Sequence, residues 1–305
     1  MAPRRDRPAP LRTARHRDRG RGRGRSVNGR TLIVAVGVMA ILAGLAQTIT
    51  SALQPQPAAE GAKPTGEAAS PAAPDAVAST SGRTEADAQA REALAERPMR
   101  QFPASARRPM ALTARDPGAP LLLPRSQRVG AAGVASGFPH TPLGAMAQMI
   151  AIDQVALQSG SLAGVRAVIG AWAVPGGPTA QSWSGVAAMA SLLSGAGLSG
   201  AGSSSLSVVL VPAMGLVKGM VGADFVVACV DFEVDVTLAQ TVREAAADCE
   251  RMVWVGDRWM IGPGREPAPG PSVWPDTDEA LAVGYRDLRT EPGPDVAAAG
   301  EVSHG

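Results

Sequence analysis

Few residues of this chain are of types that do chemistry, and their spacing limits what that chemistry could be. Of three histidines, His16 lies in a basic N-terminal run and His304 is next to last. His140 precedes a segment of helical periodicity, where it reads as an exposed loop residue and not as a catalytic base. Cys229 and Cys249 have no histidines or further cysteines at metal-ligand spacing, and no glycine loop followed by lysine is present to cradle a phosphate. Asp231, Glu233 and Asp235 alternate along a strand-like run and so share one face. That face could attract a cation, but a solvated sheet surface accounts for it without further assumption. Asp153 interrupts an apolar helical stripe and is read as a surface or helix-end residue, the alternative being a pocket acid with a raised pKa. No group of residues amounts to a catalytic constellation, so the chain reads as a non-enzyme without cofactor or metal.

The chain that presents these residues is uneven. Residues 1–30 hold eleven arginines against two aspartates, whereas the remaining 275 carry 18 basic and 25 acidic groups. The stretch Thr31 to Leu53 that follows contains no charge. As a helix it would run about 34 Å, enough for a hydrocarbon core of about 30 Å. Arginine immediately before an apolar span places the N-terminus in the cytoplasm and the rest outside, as a single-pass membrane protein. A cleaved signal peptide is the competing reading, and the long basic region favours the anchor. The Arg-Gly run at 19–25 is expected to lie on anionic headgroups, with no specific nucleic-acid binding. Residues 54–136 are rich in proline, alanine and glycine and read as a linker, with one short polar helix capped by Thr84.

Foldable sequence is expected over 137–264, as an α+β domain of three helices packed on a curved antiparallel sheet. Thr141 and Pro142 are suited to open the first helix, a second should follow over 162–173, and Thr179 is a candidate cap for the third. After the Gly/Ser run at 194–205 the period changes from 3.6 to 2. Strands are expected over 206–211 and 216–221 around Pro212, then over 225–238, 242–255 and 258–261. In 225–238 the even positions are apolar, so Phe232 is expected in the core and Asp231, Glu233 and Asp235 in solvent or against a partner. Gly256-Asp257 is a two-residue hairpin turn that sets Trp254 opposite Trp259. The tail 265–305 is Pro-rich, with a short helix at 276–288 whose stripe of Leu281, Tyr285 and Leu288 either clasps the domain or docks a partner.

Cys229 and Cys249 fall on neighbouring strands. If the hairpin centres on Ala239 they lie directly opposite and can bond, whereas a slip of one residue puts them on opposite faces. In the bonding register Glu244 and Asp248 sit beneath the apolar face, which argues against it; an extracytoplasmic location and an even cysteine count argue for a disulfide.

The closing hairpin VWVGDRWMIGPG (253–264), together with helices followed by a curved sheet, resembles the nuclear-transport-factor-2-like cone. Basic tail, single span, linker and cone together resemble envelope subunits of conjugative type IV secretion systems. The segments GFPHTPLGAMA (137–147), AWAVPGGPTAQSW (171–183) and PAMGLVKGMVGADFVV (212–227) are similar to proteins of actinobacterial integrative conjugative elements. The resemblance implies a scaffold that contacts other subunits of a secretion or conjugation complex or itself. The alternative is a tethered enzyme or small-molecule binder that uses the cone cavity. Protease added to intact protoplasts should digest the part of the chain beyond residue 53; a C-terminus that stays protected would reverse the orientation.

Overall fold

The computed structural model describes residues 75–292. The basic run 1–30, the charge-free stretch 31–53 and residues 293–305 lie outside the described residues. Among the described residues no helix is long and apolar enough to cross a membrane.

The helical half follows its capping residues. Helix α1 (Asp75–Glu96) comes first; α2 (Pro142–Gln158) starts at Thr141, whose hydroxyl accepts from the Gly144 amide, with Pro142 in the first turn. Gly144 must lack a side chain, because a Cβ there would fall 2.0 Å from the Pro139 carbonyl oxygen. Ser161 caps α3 (Leu162–Trp172) in the same way. Helix α4 (Ser184–Gly195) begins later than Thr179 would set it, and its N-cap Trp183 offers no side-chain acceptor. The acceptor comes from far along the chain: the Ser184 amide donates to Glu266 Oε1 at 2.6 Å. Thr179 instead bonds Ser182 in the preceding turn.

The strands are β1 (Leu121–Leu123), the short pair β2 (Arg128–Val129) and β3 (Ala135–Ser136), then β4 (Ser207–Met220), β5 (Phe225–Thr237), β6 (Thr241–Val255) and β7 (Arg258–Ile261). Helix α5 (Asp278–Val283) and strand β8 (Arg286–Thr290) follow. Six strands form one sheet in the order β1-β8-β4-β5-β6-β7, antiparallel except for β1 with β8. The fold is α+β, with a strongly curled, antiparallel-rich sheet resembling half a barrel. Pro212 stays within β4 because the strand bulges between Pro212 and Met214, and it bulges again between Val217 and Gly219.

Strand β5 buries its even positions as expected. Val226, Ala228, Val230 and Phe232 are at most 2% exposed and share one core with Met146, Met149, Ile169 and Trp172 from the helices. The odd face is the main departure. Phe225, Val227, Cys229 and Asp231 are buried as well, where a wet surface was expected. Their roof is built from segments that read as linker and tail. Leu94 and Ala95 of α1 cover Phe225, Val227 and Val253, while Met99, Phe102, Ala106, Val273 and Tyr285 cover the cysteines. Glu92 pairs with Arg251 at 2.7 Å, and the Lys218 ammonium donates to the Ala95 carbonyl at 2.9 Å, satisfying a free group at the end of α1. Apolar residues in 84–107 are too sparse to show a period, and two that count are alanines, whose small size permits close approach. Gly219 makes the same allowance, since a Cβ there would lie 2.6 Å from Leu94 Cδ1.

The domain therefore extends past both expected boundaries, 137 and 264. The tail helix ends early, at Gly284 in the left-handed region, and the chain turns into β8. Tyr285 is 1% exposed, and Leu281 and Leu288 are half-buried against the two cores. This stripe clasps the domain instead of offering a docking surface. Deleting residues 75–107 should expose Phe225, Val227 and the cysteines, each large side chain worth about 1.5–3 kcal/mol of burial. The shortened protein should lose most of its stability in chemical denaturation; unchanged stability would show that the outer face needs no roof.

Candidate functional site

The hairpin β5–β6 pairs thirteen residues without a slip and sets Cys229 opposite Cys249, joined as a disulfide. The same register puts every even residue of β6 on the helix side: Glu244 opposite Val234, Asp248 opposite Val230 and Glu250 opposite Ala228. Asp153 of α2 is 2% exposed on this side, in contrast to the surface position expected of it. It is buried because α2 packs lengthwise on the curled sheet and presents nearly its whole circumference to other elements. Glu266 completes the group from the chain after β7, where it caps α4.

Four carboxyls thus meet between α2, β6 and the start of α4. Burial raises the Asp153 pKa well above the usual carboxylate range, and repulsion from Asp248 raises it further; its Oδ2 has no hydrogen-bond partner. Glu250, 1% exposed, is likewise raised by burial, then by Asp248, Glu266 and Asp153, with the Trp183 indole donating to its Oε1 at 2.7 Å in partial compensation. Asp248 is half-buried and is pushed up to about 7 by desolvation and by Glu266, the Cys249 amide opposing. Desolvation also raises Glu266, and its bonds to Ser184 oppose the rise. Among the described residues no arginine, lysine or histidine contributes to any of the four. Such a set favours the protonated form of each carboxyl over its ordinary state. Among the described residues no group of three or more His, Cys, Asp or Glu is arranged to hold a metal ion.

The other acids have separate settings. Glu244, 2% exposed, is raised by burial against the pull of Arg107 and Arg108. Asp231 lies on the opposite face and is fully buried beneath the 271–273 segment and Tyr285, so it does not face solvent as expected. Neither of its oxygens has a hydrogen bond of normal geometry, and burial raises its pKa strongly although the Val273 amide lies close. Glu233 and Asp235 do reach the surface, each with a side chain 27% exposed and paired to Arg243 at 3.0 and 2.8 Å.

His140 is more tied than a free loop residue. It stacks on Trp254 at 4.3 Å, and its Nε2 lies 2.8 Å from Asp224. Trp254 faces Trp259 across the hairpin as its turn requires, and the Trp259 indole donates to the Pro139 carbonyl. This aromatic contact pins the chain before α2 to the sheet. Elsewhere a cleft of about 600 Å³ is lined by Leu121, Leu122, Pro124, Pro139, Pro142, Leu143 and Val217, with Thr141 and Glu291 as its polar members; Asp153 is not among them.

Compared with protein-family models, with curated proteins and with solved structures, the chain matches none. The functional reading rests on the geometry.

Sequence reasoning placed Glu244 and Asp248 beneath the apolar face and could have added Glu250 by the same parity. Glu266 gave no signal, because its partner Ser184 is 82 residues away. A carboxyl whose folded pKa is raised stabilises the fold below its unfolded value near 4, and that stability is lost as pH rises through the folded value, about 7 for Asp248. Asp248→Asn should therefore raise stability at pH 8 by about 1–3 kcal/mol, discounted for screening of a half-exposed group, and change little at pH 4.5. Denaturation curves at the two pH values check this, and an equal effect at both would refute it.

Proposed function

We propose that the chain is a membrane-tethered scaffold whose extracytoplasmic domain joins a conjugation apparatus of the type IV secretion kind. The observation that carries this reading is the uncovered end of the outer sheet face. Most of that face is roofed, yet Val209 and Val211 stand 41% and 50% exposed at alternate positions of β4. Beside them on β5 lie Asp235 and Glu233, bridged by Arg243 of β6. Two valines next to two acids and one base form an apolar patch with one uncompensated negative charge. It fits a partner subunit that offers apolar side chains inside a basic rim.

The disulfide agrees with an oxidising, extracytoplasmic setting. Helices followed by a curled sheet agree with the cone resemblance, although the same architecture hosts many activities.

One observation favours a second reading, a binder of protons or small cationic ligands: the buried, unpartnered Oδ2 of Asp153 within the carboxyl cluster. The two readings separate by mutation. Val209→Glu with Val211→Glu should leave stability within about 0.5 kcal/mol, because both sites are exposed. Cross-linking to neighbouring subunits and DNA transfer by the element should drop at least tenfold. Normal assembly and transfer in that variant, with loss in a folded Asp153→Asn variant, would move the function to the cluster.

A further inference from the structure

The carboxyl cluster joins four parts of the fold at one point. Asp153 comes from α2, Asp248 and Glu250 from β6, and Glu266 from the segment 262–274, while α4 enters through Trp183 and Ser184. Besides Glu266, that segment is held by the Gly264 amide on the Gly176 carbonyl, the Gly262 amide on the Arg251 carbonyl, the Arg251 guanidinium on the Arg265 carbonyl, the Ala268 amide on the Ala95 carbonyl, and the Ala247 amide on Ser272 Oγ. Past Glu266 the same segment crosses to the outer face, where the Pro271 carbonyl accepts from Tyr285 and the Trp274 amide bonds Ala106. Whatever loosens Glu266 therefore loosens both the start of α4 and part of the outer roof.

We propose that the four carboxyls are a proton-operated latch, which holds segment 262–274 and the first turn of α4 on the sheet when protonated and releases them when ionised. The geometry supplies both halves of the device. Closure needs neutral carboxyls, because the groups face one another across three elements with no base between them. The helix side of β5 is apolar, α4 carries no charged residue, and the one charged residue of α3, Arg166, is exposed. On β6 the further acid of this face, Glu244, lies in the field of Arg107 and Arg108, and Arg251 lies on the other face, where it pairs with Glu92 and donates to the Arg265 carbonyl. Tyr285, behind the sheet, adds no positive charge and is itself kept neutral by burial.

Asp153 is 2% exposed, and its Oδ2 meets no hydrogen-bond partner among the described residues. Opening needs water to reach some member first, and Asp248 and Glu266 are the half-exposed pair. Loss of their protons leaves like charges facing in a poorly solvated gap, and the strain falls on the segment that carries Glu266. Chemically the ligand is the proton, and the device would make the roof of the domain respond to the pH around it. It does not depend on the scaffold reading.

Hydrogen exchange on the full chain tests this. After correction for intrinsic rates, protection of Ser184 and of residues 262–274 should fall at least tenfold between pH 5 and pH 8. Protection of Val226–Phe232 should stay unchanged. Asp153→Asn with Asp248→Asn should abolish the difference. Should that pair not fold, Glu266→Gln serves in its place, since it keeps the acceptor for Ser184 and removes one charge. Equal protection at both pH values would overturn the proposal, as would a pH-dependent loss that persists in the folded variants. Restoration of protection at pH 8 by calcium chloride would also overturn it, by assigning the compensating charge to a metal ion.

Discussion

The pairing of β5 with β6 is the constraint on which the rest depends. Thirteen consecutive pairs leave no freedom of register, and the disulfide between Cys229 and Cys249 locks the one that is formed. Side chains alternate with period two, so one register decides the side on which each residue of both strands lies. It gives the helices the apolar even face of β5, and in the same stroke it puts Glu244, Asp248 and Glu250 under them. A slip of one residue would relieve the acids and break the disulfide. The protein keeps the bond and buries the acids, whose pKa values rise in consequence, with the Trp183 indole as a partner of Glu250.

Burying both faces is the second organising fact. A curled sheet with one wet face would be an ordinary antiparallel solution. Here the outer face carries Phe225, Val227 and the disulfide, so it requires a cover, and the cover is drawn from chain on both sides of the helix–sheet unit. Its attachments are specific: Glu92 to Arg251, Lys218 to the end of α1, and the Tyr285 hydroxyl to the Pro271 carbonyl. The roof stops short of the far ends of β4 and β5, which leaves the valines and acids there as the surface available to another protein.

Two places of unlike chemistry thus lie on the two faces of the sheet. The outer patch is exposed and nearly charge-balanced. The inner cluster is largely buried and, among the described residues, meets no base.

The sequence by itself determined the elements whose signals are local. Thr141 with Pro142, and Ser161, start two helices because a cap needs only neighbouring residues; Gly256-Asp257 makes the hairpin because a turn is four residues long. The period-two pattern of 225–237 needs no context either, and the matched positions of Cys229 and Cys249 carried the register as one of two alternatives. Tertiary structure decided the rest. Asp231 looked solvated because nothing nearby in the chain could cover it, and its cover comes from Val273 and Tyr285. Asp153 looked like a surface residue because an acid in an apolar stripe usually is one, and only the packing of α2 on the sheet buries it. Glu266 became the cap of α4 from 82 residues away. These outcomes depend on which distant segments pack together, and a residue's own neighbours in the chain hold no record of that.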